Sequence, residues 1–210
     1  MNDIKMNIPN PVVIESERGS ERHYDVYSRL LKDRIVYLGT QVNSVSANLI
    51  VAQMLFLDAD NPDKPIHFYI NSPGGSVHDG LAIYDVIHFI KAPVHTYALG
   101  TAASMGSFLA MCGEKGHRHL TPNTMTMIHQ PHLGNGGIGG TVTDIEIAAK
   151  NLIETKEKLT RIYSLHSGQP YEKLRDLMER DKYLTAQEAV DLGLADIIIE
   201  SDKLKKLRGE

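Results

Sequence analysis

The residues best placed for chemistry begin at Ser104. An apolar run from Val94 to Leu99 reads as a buried strand, Gly100 breaks it, and an apolar run that can be helical starts at about Ser104. A hydroxyl at a strand-to-helix turn, among residues too small to cover it, is how a nucleophilic serine is presented. The helix start behind it offers free backbone N–H groups and partial positive charge to an oxyanion. Read without chemistry, the same turn is a close-packing device. A nucleophilic serine needs a base, and the base needs an orienting group. The chain has ten histidines. His78, His88 and His166 fall in predicted helices, where packing or surface roles are the default, and His117 and His119 flank Arg118 near a turn. His129 differs: it ends the apolar run Met125 to Ile128 and precedes Gln130-Pro131. A strand end feeding a loop holds a side chain rigidly beside a cleft. His129 and His132 also have the spacing of a metal pair, but a His-x-x-His with no third ligand in view is a poor zinc site. Two carboxylates compete for the orienting role, Asp181 at an element boundary and Asp176 inside a predicted helix, and spacing leaves both open. For the oxyanion, the N–H of Met105 is one donor, and Gly74-Gly75, at the end of a neighbouring strand, can supply another.

These positions need a scaffold. Tyr24 to Leu31 has helical spacing, and Ile35 to Leu38 reads as a strand ended by Gly39. Ser44 or Ser46 can cap a helix running to Leu57. Ile66 to Ile70 is a second strand, and residues 71–76 form a tight turn into a helix that carries Leu81, Ile83 and Ile87 and stops at Pro93. Such alternation predicts an α/β fold of parallel strands with right-handed crossovers. Arg118 to Leu120 and Thr124 to Ile128 follow as strands. Gly134 to Gly140 is too glycine-rich to hold a shape alone. A long helix is expected from Thr143, with Thr143 and Glu146 as its capping box, until Gly168 ends it. At about 22 residues it would span roughly 33 Å. Its far end is therefore expected to project, and its apolar stripe to need a partner, which points to self-assembly. Tyr171 to Arg180 and Thr185 to Leu192 read as shorter helices, and Asp196 to Ile199 as a last strand. Residues 1–20 are expected as a mobile or partner-ordered arm, 21–200 as the domain and 201–210 as a solvated charged tail.

Composition narrows the class. The 210 residues suit one domain, with 42% hydrophobic and 23% charged residues and a formal net charge of −4. No basic footprint points to nucleic acid, and no apolar run is long enough for a membrane helix. The single cysteine, Cys112, sits in an apolar stretch and suits a reduced, buried packing role. The start lacks the pattern of a secretory signal, which fits a cytoplasmic compartment or an organelle matrix.

Longer words then carry a resemblance. Asp25 to Arg34, Ala47 to Leu55, Tyr69 to Gly75, Ala102 to Leu109, Met127 to Pro131, Thr143 to Ile147 and Glu179 to Asp181 are similar, in this order, to the proteolytic-subunit (ClpP) family of the Clp proteases. The resemblance implies a crotonase-like ββα superhelix (ClpP-like) with a projecting handle helix, here Thr143 to His166. It implies serine endopeptidase activity on unfolded polypeptides. Ser104 matches the family nucleophile, His129 its general base and Asp181 the orienting carboxylate. Gly75 and Met105 match the oxyanion-hole amides, and Glu179 and Arg180 the ring–ring assembly contacts. It implies two stacked heptameric rings, of this chain or mixed with a paralogue, and axial pore loops from about Asn7 to Gly19. It also implies an AAA+ unfoldase partner such as ClpX, ClpA or ClpC, which would use the ATP, so that no cofactor or metal is expected in this subunit. One stretch departs from the family pattern: the segment from His132 to Val142 looks longer and richer in glycine, with Gly140-Thr141-Val142 where the family has Gly-Gln-Ala. Two rival readings are a crotonase-type acyl-CoA enzyme, which would leave Ser104, His129 and Asp181 without a purpose, and a silent structural subunit, which would normally lack a triad member.

Overall fold

Short polar caps and apolar strands divide the chain into alternating elements. The computed structural model describes residues 11–17, 20–133 and 137–208. Strand β1 (Val12–Glu17) pairs antiparallel with β2 (Ser20–Asp25). Of the expected arm, Val12–Glu17 and Ser20 are strand, and residues 1–10, 18 and 19 lie outside the described residues. Asp25 ends β2 by capping α1 (Val26–Lys32), its side chain accepting from the N–H groups of Tyr27 and Ser28. This cap leaves Tyr24, predicted as helical, in the strand. Glu15 ties the hairpin to α1 through Arg29 and through Lys32, the latter at 3.0 Å.

Strand β3 (Ile35–Leu38) leads to α2 (Ser44–Asp60). The N-cap of α2 is Asn43 rather than Ser44 or Ser46. Its carboxamide accepts from Val45 and Ser46, and the Ser46 hydroxyl accepts from the Asn43 N–H, so the pair closes a capping box. Next come β4 (Ile66–Ser72), α3 (Val77–Phe89), β5 (Val94–Ala103) and α4 (Met105–Met111). They are followed by β6 (Arg118–Leu120), β7 (Met125–Ile128) and α5 (Val142–Ser167). The chain ends with α6 (Tyr171–Leu177), β8 (Lys182–Leu184), α7 (Ala186–Asp191), β9 (Ile197–Ile198) and α8 (Asp202–Arg208). Within the expected charged tail, Asp202–Arg208 is helical.

The main sheet runs β3-β4-β5-β6-β9 with parallel neighbours, as the alternation predicts. Strand β5 does not stop at Gly100. The register against β4 jumps from Ile70↔Ala98 to Ser72↔Ala102. Gly100 takes φ +61°, and the Thr101 N–H donates to Asn71 Oδ1 at 3.2 Å. Glycine here makes a bulge instead of an end. The bulge lets β5 pair twice on one edge, with β6 before it and with β7 after it. Strand β8 then adds antiparallel to β7. Phe68, Ile70, Leu38, Met54, Leu57 and Ile83 are fully buried between sheet and helices, as are Phe108, Leu109 and Met111 of α4.

The long helix begins one residue before the expected start, and its cap lies two residues before the expected one. Thr141 caps it and Asp144 returns the bond, so the capping box uses these two residues rather than Thr143 and Glu146. Its 26 residues span about 39 Å. Leu159, Thr160 and Tyr163 are buried near its end, whereas Val142, Ile145, Ile147 and Ile153 are exposed. The first half therefore presents an unpaired apolar stripe. Among the described residues no helix is long and apolar enough to cross a membrane.

Arg118 fastens the far edge of the sheet. Its buried guanidinium meets Asp196 Oδ1 at 2.6 Å and donates to the His166 carbonyl at 3.0 Å, so β6, the approach to β9 and the end of α5 share one charge. Removing one partner strands the other charge in the interior. Asp196→Ala is expected to cost about 3 kcal/mol of stability, measured by denaturant unfolding, and a loss within experimental error of zero would show that water reaches Arg118. Burial pushes the Asp196 pKa up, but the hydrogen bond and charge of Arg118, with the N–H groups of Arg118 and Gly116, together outweigh it and hold the pKa below its usual value. This stabilisation is complete above the unfolded-state pKa of about 3.9 and is lost as pH falls through the lower folded value.

Candidate active site

Ser104 is the N-cap of α4 and sits at φ +53°, ψ −122°. A non-glycine residue pays roughly 1–3 kcal/mol for such a backbone, so its surroundings must enforce it. The Ser104 N–H donates to the Met127 carbonyl at 2.8 Å, which ties the turn to β7. Behind the turn, the Ser107 hydroxyl lies 2.8 Å from the Ser104 carbonyl, 2.9 Å from the Met127 carbonyl and 2.9 Å from the Tyr163 hydroxyl. Ser107 has one proton to give, which goes to a carbonyl, so the Tyr163 phenol donates to Ser107. Through this buried relay α5 braces the serine turn. Burial drives the Tyr163 pKa upward, so the phenol keeps its proton.

In front of the turn lies the loop after β4. Gly74 takes φ +92°, and a Cβ there would stand 2.6 Å from the Ser104 Cβ and 2.8 Å from the Met105 nitrogen. Gly75 takes φ +149°, and a Cβ there would stand 2.1 Å from the Val42 carbonyl oxygen. Val42 donates to the Gly74 carbonyl at 2.8 Å and accepts from the Ser76 N–H at 2.9 Å. In such a parallel bridge the middle residue's own N–H points to the opposite side. The Gly75 N–H therefore faces away from Val42.

His129 follows β7 directly. Its Nε2 lies 2.7 Å from Ser104 Oγ. The antiparallel register pairs Met127 with Tyr183 and Ile128 with Lys182, so one further step sets His129 opposite Asp181. Gln130 reinforces this pairing: its N–H donates to the Met178 carbonyl at 2.6 Å, and its side-chain amide donates to the Glu179 carbonyl at 2.8 Å. His129 Nδ1 and Asp181 Oδ1 are 3.6 Å apart, an ion-pair distance that is too long for a hydrogen bond. Asp181 is 57% exposed, against 13% for His129. Asp176 is excluded from the site, since its carboxylate binds the neighbouring Arg175 at 2.9 Å and does not line the cleft. Burial lowers the His129 pKa; Asp181 raises it in part and His132 lowers it further. The imidazole is neutral at pH 7 and can accept a proton at Nε2.

Ser104, His129, His132, Asp181, Gly74 and Gly75 all line one cleft of about 500 Å³. A larger hollow of about 790 Å³ between α1 and α2, lined by Tyr27, Tyr37 and Leu49 among others, has no histidine in its lining. Cys112 is buried, donates to the Phe108 carbonyl, and has its thiol pKa driven up by burial, which suits packing rather than reaction. Glu179 pairs with Lys156 of α5 at 2.8 Å, and Arg180 stands between it and Asp181 in sequence.

The family model described as Clp protease matches residues 17–202. The ATP-dependent Clp protease proteolytic subunit of Bdellovibrio bacteriovorus is 60% identical over 196 residues, which cover 93% of this chain and 92% of that protein. The chain belongs to the Clp protease family. It is a serine peptidase, and the α/β architecture of a parallel sheet with a long projecting helix is that of a Clp proteolytic subunit. The acyl-CoA reading is thereby set aside. In this family setting the tight approach of Gly74 to the serine turn becomes testable. Gly74→Ala is expected to reduce peptide hydrolysis by about a hundredfold, because its methyl group displaces the turn by the order of 1 Å. Activity within twofold of the parent would show that the turn can yield.

Proposed function

We propose that Ser104, His129 and Asp181 form the catalytic triad of this Clp peptidase, with Gly75 and Met105 as oxyanion donors. The observation that carries this reading is the 2.7 Å contact between His129 Nε2 and Ser104 Oγ at a left-handed turn inside the cleft. Ser104 Oγ attacks the scissile carbonyl carbon while its proton passes to His129 Nε2. The carbonyl oxygen becomes an oxyanion facing the Gly75 and Met105 N–H groups. His129 then protonates the departing amine, the C–N bond breaks, and an acyl ester remains on Ser104. Water, deprotonated by the same imidazole, releases the acid and restores the serine. Asp181 holds the imidazole tautomer and balances its charge while it is protonated.

The substrates are unfolded polypeptides, and the working particle is two stacked heptameric rings, of this chain or mixed with a paralogue, in the cytoplasm. The exposed apolar stripe on the first half of α5 supports stacking through this helix. Glu179 and Arg180, adjoining Asp181, couple ring contact to the triad. The open 3.6 Å gap to Asp181 supports this coupling, because a peptidase that closes its triad only on assembly stays quiet as a free subunit. Residues 1–20 line the axial pore, and 201–210 form a tail. The partner is an AAA+ unfoldase of the ClpX, ClpA or ClpC kind, which would use the ATP, and this subunit needs no cofactor for hydrolysis.

A fluorophosphonate probe followed by peptide mapping tests the nucleophile. Labelling is expected on Ser104 and is expected to vanish in Ser104→Ala; assembled, folded particles that remain unlabelled would sink the assignment. The base is tested by pH. Only neutral His129 accepts the proton, and its pKa is lowered from 6.5. The kcat/KM for a short peptide should therefore rise with pH, reach half its plateau below pH 6.5 and stay high above. Asp181→Asn removes the charge that raises this pKa, so the half-point should move lower still while the plateau falls. A half-point above 6.5 in the parent would count against His129 as base.

A further inference from the structure

Outside the cleft, the described residues bring one set of three metal-ligating side chains together: His95, Glu114 and His117. Their ligand atoms all lie within 4.8 Å of one another. His95 is the second residue of β5, while Glu114 and His117 belong to the turn between α4 and β6. That turn is pinned to the sheet on both sides of His95. The Glu114 N–H donates to the Val94 carbonyl at 2.8 Å, the His117 N–H to the Glu114 carbonyl at 2.9 Å, and the Thr96 N–H to the His117 carbonyl at 3.1 Å. The backbone thus fixes where all three side chains leave, and they leave from one place.

The chemistry of the set is specific. The His95 and His117 rings stack face to face, 3.9 Å between centroids, so the exposed His117 ring must turn before its in-plane lone pair can meet the same ion as that of His95; His95 Nε2 is 3.6 Å from Glu114 Oε2. Bonds of about 2.0–2.2 Å from a tetrahedral zinc ion separate its ligand atoms by roughly 3.3–3.5 Å. The His95–Glu114 pair is near that spacing already. Glu114 and His117 are exposed, so the remaining approach needs only side-chain rotation. Two imidazoles and a carboxylate favour a borderline divalent ion over magnesium or calcium, which prefer all-oxygen sites.

We propose that His95, Glu114 and His117 form a zinc site with a fourth position open to water, a role distinct from catalysis. The strand separates it from Ser104 by nine residues, roughly 25–30 Å. A metal there would join the start of β5 to the turn before β6 and stabilise that end of the sheet by mass action. The test is a zinc titration of the whole protein, cleared of metal beforehand, against a chromogenic chelator. One saturable zinc per chain is expected. His117→Ala combined with Glu114→Gln, both at exposed positions, should weaken it at least about a hundredfold, since even an outer partner of a zinc ligand is worth ten- to a hundredfold. His132→Ala, which breaks the histidine pair of the cleft, should leave the affinity unchanged. No saturable zinc, or zinc that persists in the double variant or is lost in His132→Ala, would overturn the proposal.

Discussion

The backbones of Gly74 and Ser104 lie in contact, and two strands had to be bent to bring them there. Strand β4 ends one residue before Pro73-Gly74-Gly75, and β5 carries a bulge at Gly100 that shifts its last residues relative to β4. Only a residue without Cβ fits at Gly74, where an added carbon would press on both Ser104 and Met105. Ser104 itself holds a left-handed backbone that its own side chain disfavours. The strain is contained from behind by the Met127 carbonyl and by the Ser107–Tyr163 relay. The serine is thus exposed toward the cleft and fixed on every other side, which is the geometry an oxyanion site requires before substrate arrives.

The second constraint is a ladder rather than a turn. His129 owes its position to β7, and Asp181 owes its position to β8, so the antiparallel register of two short strands decides whether the two side chains face one another. A slip of one residue would turn them to opposite faces. Gln130 guards this register by binding two successive carbonyls, those of Met178 and Glu179. The ladder brings Asp181 alongside but leaves it largely in solvent and short of hydrogen-bonding distance.

Local features of this arrangement were legible in the sequence, and the non-local ones were not. The serine turn announced itself through an apolar strand running into small residues, and His129 through its place after an apolar run. Helix starts were legible only to within a few residues. Asn43 displaced Ser44 and Ser46 because its carboxamide can accept from two N–H groups at once. Thr141 and Asp144 displaced Thr143 and Glu146 because both pairs have the same spacing, and nothing local distinguishes them. Gly100 read as a break because a bulge and a strand end need the same φ. The choice between Asp176 and Asp181 stayed open from spacing, and the family resemblance singled out Asp181. Its geometric reason is the β7–β8 pairing, a contact between residues some fifty positions apart. The His95, Glu114 and His117 set was not legible for the same reason: the start of β5 and a turn some twenty residues later converge only when β5 and β6 pair.

These observations assign different tasks to the two ends of α5. Its last turns are buried and reach the serine turn through Tyr163, while its first turns are exposed and apolar. Midway, Lys156 binds Glu179, two residues before Asp181. One helix therefore touches the support of the Ser104 turn at one end, the approach to Asp181 at its middle, and open solvent at the other end. In the proposed assembly, a partner covering the exposed half would act on a helix whose other contacts are Ser107, behind the Ser104 turn, and Glu179, two residues before Asp181. Hydrogen bonding makes such a helix stiff along its length. A small displacement at the apolar end is then felt where a gap of 3.6 Å must shorten by less than 1 Å for the His129–Asp181 contact to become a hydrogen bond. If the particle stacks through this helix as proposed, geometry alone would link assembly to the alignment of His129 and Asp181.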